Sequence, residues 1–162
     1  MKKFTYLVAT LLIFAISLPS CEDKEHECVS VSSNTEDFEK FVENFVPDES
    51  ANIIGKWKLV KGYRFFMKEG PSCSDFSRCN IVYEFKPNGV LTISGQSRHL
   101  PFIHNNKKGD HSYSIGSFPD DRSVKINGSY LWHSVSSEWL MLSLLPLDGG
   151  AYFFMRVTPM VN

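Results

Sequence analysis

From Gly55 onward the chain changes period: apolar and polar residues alternate nearly one for one, in short runs separated by turn-forming residues. A strand sends successive side chains to opposite faces, so this alternation is the mark of half-buried β-structure, and few folds can absorb so much of it. It predicts eight strands, at about 55–65, 80–86, 90–95, 110–117, 122–127, 129–135, 138–145 and 151–157. Turn chemistry joins them. Asn88-Gly89 and Asn127-Gly128 are type I′ hairpin signals, and Asp148-Gly149-Gly150 and Pro119-Asp120-Asp121 supply further turns. Strands joined by turns, with no helical pattern between them, make an up-and-down antiparallel sheet. Closing eight of them removes the exposed edges, so the expected fold is all-β: an eight-stranded up-and-down antiparallel barrel over residues 51–162.

The stretch before the barrel is built differently. Residues 22–50 hold ten acids and two lysines, whereas residues 51–162 hold eight acids and thirteen Lys or Arg. Within the acidic part Phe38, Phe41, Val42 and Phe45 recur at i, i+3, i+4, i+7, the apolar face of one short helix. Asn34 or Thr35 can cap it, Glu36 and Asp37 suit its positive end, and Pro47 ends it. Residues 21–50 therefore read as an acidic tether with a helix that docks on the barrel or closes one end. The formal net charge of −1 excludes a strongly basic nucleic-acid binder.

Lys2 and Lys3 precede an apolar run from Tyr6 to Leu18, too short to span a bilayer and suited to a signal peptide over residues 1–20. The run ends in Leu18-Pro19-Ser20-Cys21, followed by Glu22-Asp23-Lys24-Glu25. This resembles the lipobox of a bacterial lipoprotein precursor. The resemblance implies cleavage before Cys21, acylation of that cysteine including palmitate, and anchoring in the outer membrane of a Gram-negative bacterium. The acidic run after the anchor resembles a surface-export tag. An ordinary cleaved signal with a chance cysteine is the plainer alternative.

Gly55-Lys56-Trp57 on the first strand and Phe154-Met155-Arg156-Val157 on the last resemble the G-x-W signature and the closing arginine segment of lipocalins. The stretch 54–157 is similar to the small lipocalin-like domains of bacterial lipoproteins. The resemblance implies that Arg156 packs over Trp57 as a structural pair. A guanidinium over an indole contributes about 0.5–2 kcal/mol.

In an up-and-down barrel alternate joins share a rim, and the two long joins, about 66–79 and 96–109, fall at the same end. Loops of that length are commonly functional, so they predict a mouth with a lid, as the lipocalin resemblance also implies. Lys68, Arg78, Arg98, His99, His104, Lys107 and Lys108 outnumber Glu69 and Asp75 there, a rim suited to steering an anionic amphiphile. One alternation phase turns Tyr83, Phe85, Leu91, Ile93, Tyr113, Ile115, Val124, Ile126, Tyr130 and Trp132 inward. From these the expected ligand-binding residues are Tyr83, Phe85, Ile93, Tyr113, Trp132, Arg78, Arg98 and His99. The last two strands, Trp139–Leu142 and Tyr152–Met155, are apolar on both faces, so one face needs a cover such as the Phe38/Phe41/Phe45 helix.

After Cys21, three cysteines remain, and they cannot all pair within one chain. Cys73 and Cys79 flank five residues of one loop and make the first expected disulfide, with Cys28 paired to one of them as the rival. No nucleophile elbow, phosphate-cradling loop, His-Glu-x-x-His or paired carboxylates appear, so the expectation is a non-enzyme with no cofactor and no metal. Two functions follow. One is a lipid-anchored protein that binds a small hydrophobic or amphipathic ligand in its barrel. The other is a filled barrel that acts through protein contacts, as an inhibitor, an immunity-type protector or an assembly subunit.

Overall fold

A computed structural model of the chain describes residues 28–66, 70–95, 108–116, 122–144 and 150–157. The predicted leader, Cys21, Lys68, Glu69, Arg98, His99, His104, Lys107 and the Pro119-Asp120-Asp121 turn lie outside the described residues, as does most of the 96–109 join. The elements are β1 (Ser30–Ser32), α1 (Glu36–Glu43), β2 (Gly55–Phe66), β3 (Gly70–Asp75), β4 (Val82–Phe85) and β5 (Val90–Ser94). They continue as β6 (Gly109–Ile115), β7 (Ser123–Ile126), β8 (Ser129–Val135), β9 (Trp139–Ser143) and β10 (Gly150–Arg156).

Eight of these strands close. The order runs β2-β10-β9-β8-β7-β6-β5-β4, every pairing antiparallel, and β4 returns to β2. β2 serves two partners along its length. Its first part, Gly55–Lys58, pairs with β4, and its second part, Lys61–Phe66, pairs with β3. β1 then adds to the outer edge of β3. The expected loop at 66–79 therefore contains a strand. Gly70-Pro71-Ser72-Cys73-Ser74-Asp75 has no β-branched or aromatic residue to announce it, and its partner β2 supplies the ladder that local propensity does not.

The turns follow the residues that make them. Asn127 and Gly128 both have positive φ, as a type I′ turn requires. At Asn88-Gly89 only Gly89 does, and its amide donates to Lys86 O at 3.2 Å. The hairpin is where it was expected, but Pro87 occupies the second position of the turn, where its fixed φ favours a type I geometry with glycine following.

The core is the barrel interior. Trp57, Leu59, Leu91, Val124, Ile126 and Leu140 are inaccessible, and Tyr83, Phe85, Ile93, Leu131, Tyr152 and Phe154 expose 1%. A void large enough for water would leave accessible surface on its lining. These side chains have almost none, so the described residues that line the interior pack against one another without a water-sized void among them. At the end where β2 begins, Ile53 folds under the barrel, and its carbonyl accepts the Trp57 Nε1–H at 2.7 Å. Arg156 lies over the Trp57 ring at 4.1 Å from its centroid. It donates to Ser137 O, Ile54 O and Asn52 O at 2.8, 3.3 and 3.1 Å, so the structural pairing expected of Trp57 and Arg156 is present. A Cβ on Gly55, whose φ is +129°, would lie 3.2 Å from Arg156 Nη1, which gives a local reason for the glycine.

Candidate functional site

The apolar outer face of the last strands is covered by α1. Phe38 stacks on Tyr63 at 4.3 Å between centroids, and Phe41 meets Trp139 and Phe153 edge-on at 4.6 and 4.9 Å. Phe153 is left 1% exposed although it points away from the barrel interior. Thr35 stands at the helix N-cap and donates its hydroxyl to Glu39 Oε1 at 2.9 Å, while Asn34 Oδ1 accepts the Glu36 amide at 3.0 Å. Past α1 the chain runs to Ile53, with Asp48 N–H bonded to Val135 O at 2.8 Å. Residues 28–54 thus form a strap along the wall and under the Trp57 end.

The disulfide fastens the start of that strap. Cys28 is bonded to Cys79 across 51 residues, with Cα atoms 5.0 Å apart, and Cys73 is a free thiol. The expected Cys73–Cys79 pair is corrected in favour of its rival. The reason is the unforeseen strand: Cys73 lies on β3 opposite Tyr63, on the face that carries α1, whereas Cys79 is inaccessible in the turn behind it. The Ser30–Asp75 register brings Cys28 alongside that turn. Between α1, β1, β3 and β2 a groove of about 250 Å³ is lined by Ser30, Ser32, Asp37, Phe38, Lys61 and Cys73 among others. Burial raises the Cys73 thiol above the usual range, against the pull of Lys61, so the group is held as a thiol rather than a reactive thiolate.

The expected binding residues divide. Tyr83, Phe85, Ile93 and Tyr113 are interior, as the alternation predicted, but they are packed into the core. The Tyr113 hydroxyl donates to Lys86 O at 2.6 Å. Trp132 is corrected: it is 38% exposed on the outer wall, opposite Ser123 and Ser143, and β8 turns Leu131 and Val135 inward instead. β8 carries apolar residues in both phases, so alternation alone could not choose, and the two aromatics pointed the wrong way. Arg78 is exposed on the outside, beside Cys28, Ser30 and Asp75. It does not stand with the interior residues.

Two residues not singled out in the sequence mark the end of the barrel away from Trp57. After the register shift between Phe153 and Phe154, Gly62 and Arg64 fall on the inner phase of β2, because Lys61 and Tyr63 point outward. The Tyr152 ring lies across Gly62, where a Cβ would meet it at 2.7 Å, and Arg64 Nε donates to the Tyr152 hydroxyl at 3.1 Å. Below them the Tyr83 hydroxyl is buried with no hydrogen-bond partner among the described residues. Burial drives the Tyr83 phenol well above its ordinary range, and Tyr152 nearby adds to the effect. Burial also raises Tyr152, and the Arg64 contact opposes it. The sequence signal for this pair was the glycine inside a strand, which marks a bulge or a close approach; alternation from Trp57 and Leu59 by itself turns Arg64 outward.

Among the described residues no group of three or more His, Cys, Asp or Glu is placed to hold a metal. A salt bridge, Lys56–Glu84 at 3.7 Å, lies on the outer wall. No helix of the described residues is long and apolar enough to cross a membrane. The structure defines the class: an all-β protein with a closed eight-stranded antiparallel barrel and one short helix near its N-terminus. No protein-family model matches the chain, and no characterised protein is similar to it in sequence.

Proposed function

We propose that this chain is a lipid-anchored, lipocalin-like envelope protein whose barrel is filled by its own side chains and which acts through contacts with another protein. The lipobox-like run ending in Cys21 supports the anchor, and with the acidic run after it supports an outer-membrane location in a Gram-negative bacterium. One observation carries the contact function: the interior side chains Trp57, Tyr83, Phe85, Ile93, Tyr152 and Phe154 are each at most 1% exposed. Pockets for small molecules are typically several hundred Å³. An interior packed to this degree gives internal ligand binding no support and favours a solid scaffold.

The apolar surface that remains lies outside. Val42 and Val46 are exposed on and just after α1, Met155 and Val157 at the end of β10, and Trp132 on β8. Exposed aromatic and methionine side chains are the common anchors of protein contacts.

Native mass spectrometry on the protein purified from cells tests the reading. The expected result is the mass of the chain with its acyl groups, unchanged after exposure to a lipid extract. A small molecule that co-purifies and leaves only on unfolding would overturn it and restore the internal-ligand function.

A further inference from the structure

The helix leaves part of the outer wall open near the start of β2. It covers Tyr63 and Phe153 and meets Trp139 with the edge of Phe41, 4.6 Å away. The register sets Met155 between Trp139 on one flank and Lys58 on the other, all three on the outward phase. Met155 is 44% exposed. Val157, two residues on, is 40% exposed, and its amide donates to Lys56 O at 2.8 Å. Trp139, Met155 and Val157 thus make an apolar strip beside the helix. Tryptophan and methionine are enriched at the centres of protein contacts.

Charge is divided across that strip. On the β2 side stand Lys56 and Lys58. Lys56 is paired with Glu84, whereas the register neighbours of Lys58, Val82 and Met155, carry no charge. On the β9 side Glu138 is exposed in the turn from β8, and Glu49 is exposed on the strap, next to the Asp48 amide that bonds to Val135 O. Asp48 itself is taken up by Ser50, which donates its amide and hydroxyl to Oδ1 at 2.9 and 2.6 Å. β2 and β9 lie two strand spacings apart, about 10 Å, so long side chains from both flanks reach a surface laid on the strip.

Such a face is its own complement. A partner of one charge sign would meet one flank and be repelled by the other, and like charges brought together cost several kcal/mol. A second copy turned about a two-fold axis along β10 sets each cationic flank over an anionic one, twice over, and lays strip on strip.

We infer that this face joins two copies of the chain, with Trp139, Met155 and Val157 at its centre and Lys58 of each copy against Glu138 of the other. The inference rests on the contact reading of the function and names one partner for it; it does not need a filled interior.

The test is made in intact cells on the full chain produced with its leader. Cys73→Ser is the background, and one cysteine added on the outer wall is the probe. The cells are oxidised with copper phenanthroline in air and the chains are separated without reduction. Met155→Cys, near the axis, should give a disulfide-linked dimer. Lys125→Cys, on the outer wall over Tyr130, should give none above the background. In the Met155→Cys chain, Lys58→Glu and Glu138→Lys should each slow cross-linking by roughly fivefold or more, and the two together should restore the rate to within about twofold. Melting curves show that each variant is folded. A Met155→Cys chain that cross-links no faster than Lys125→Cys would overturn the inference and leave the face to residues 158–162 or to a different protein. So would single charge reversals that change nothing, or a double reversal without recovery. The contact reading fails separately, on a co-purifying small molecule, because a dimer adds whole chains to the native mass and no ligand.

Discussion

A single hydroxyl in the core makes the sharpest prediction at the residue scale. The Tyr83 Oη is buried with no hydrogen-bond partner among the described residues, and such a group costs about 1–3 kcal/mol. Tyr83→Phe keeps the ring against Phe154, 4.9 Å away, and removes the unmet group. The variant should be more stable by about 1 kcal/mol in urea unfolding, and a loss of stability would show that the hydroxyl does have a partner. The same residue sets an alkaline limit. Tyr83, Tyr152, Tyr113 and Tyr63 are all raised by burial. In the unfolded chain they ionise near pH 10. Above that pH the unfolded state binds fewer protons than the native one, so stability, full below it, declines as pH rises. Tyr83→Phe should flatten that decline.

The strands were legible as elements because alternation reports one buried face. Ends of barrel strands fall within about two residues of the expected bounds almost throughout, and the helix face formed by Phe38, Phe41 and Phe45 is the one that docks. β1 and β3 were not legible. Ser-Val-Ser and Gly-Pro-Ser-Cys-Ser-Asp carry no periodic apolar signal and exist as strands because β2 extends past β4 and offers them an edge. The disulfide went astray with them. Closing a loop across 51 residues should stabilise the fold by about 4 kcal/mol on chain-entropy grounds. Cys28→Ser should therefore lower the denaturation midpoint clearly and Cys73→Ser hardly at all. Peptide mapping should recover Cys28 linked to Cys79 and, of the three described cysteines, alkylate Cys73; a Cys73–Cys79 peptide would reverse the assignment.

For the whole molecule, the barrel and its strap share one core. The strap supplies Ile53 to the core, Phe38 and Phe41 to the wall, two of the three carbonyls held by Arg156, and half of the disulfide. A chain that begins at Gly55 keeps all eight barrel strands but uncovers Tyr63, Trp139 and Phe153. Each buried aromatic contributes about 1.5–3 kcal/mol, so this loss alone rivals the net stability of a typical domain. The shortened chain should bind a hydrophobic dye and melt without a sharp transition, and a sharp melt at the parent midpoint would show the strap to be dispensable.

The eight barrel strands were written in the sequence, because the alternation period and the turn residues act locally and an up-and-down sheet of that length closes to remove its edges. The sequence also exposed the Trp57–Arg156 closure, since both residues sit in short motifs. Only contacts across the barrel set which phase of β8 faces inward, where Cys28 goes and how closely the described interior side chains pack. Each of those depends on residues far apart in the chain meeting across the barrel. Trp132 turns outward because Leu131 and Val135 fit the core, and Arg64 donates its Nε to Tyr152 because the register shift between Phe153 and Phe154 sets that ring on the inner face.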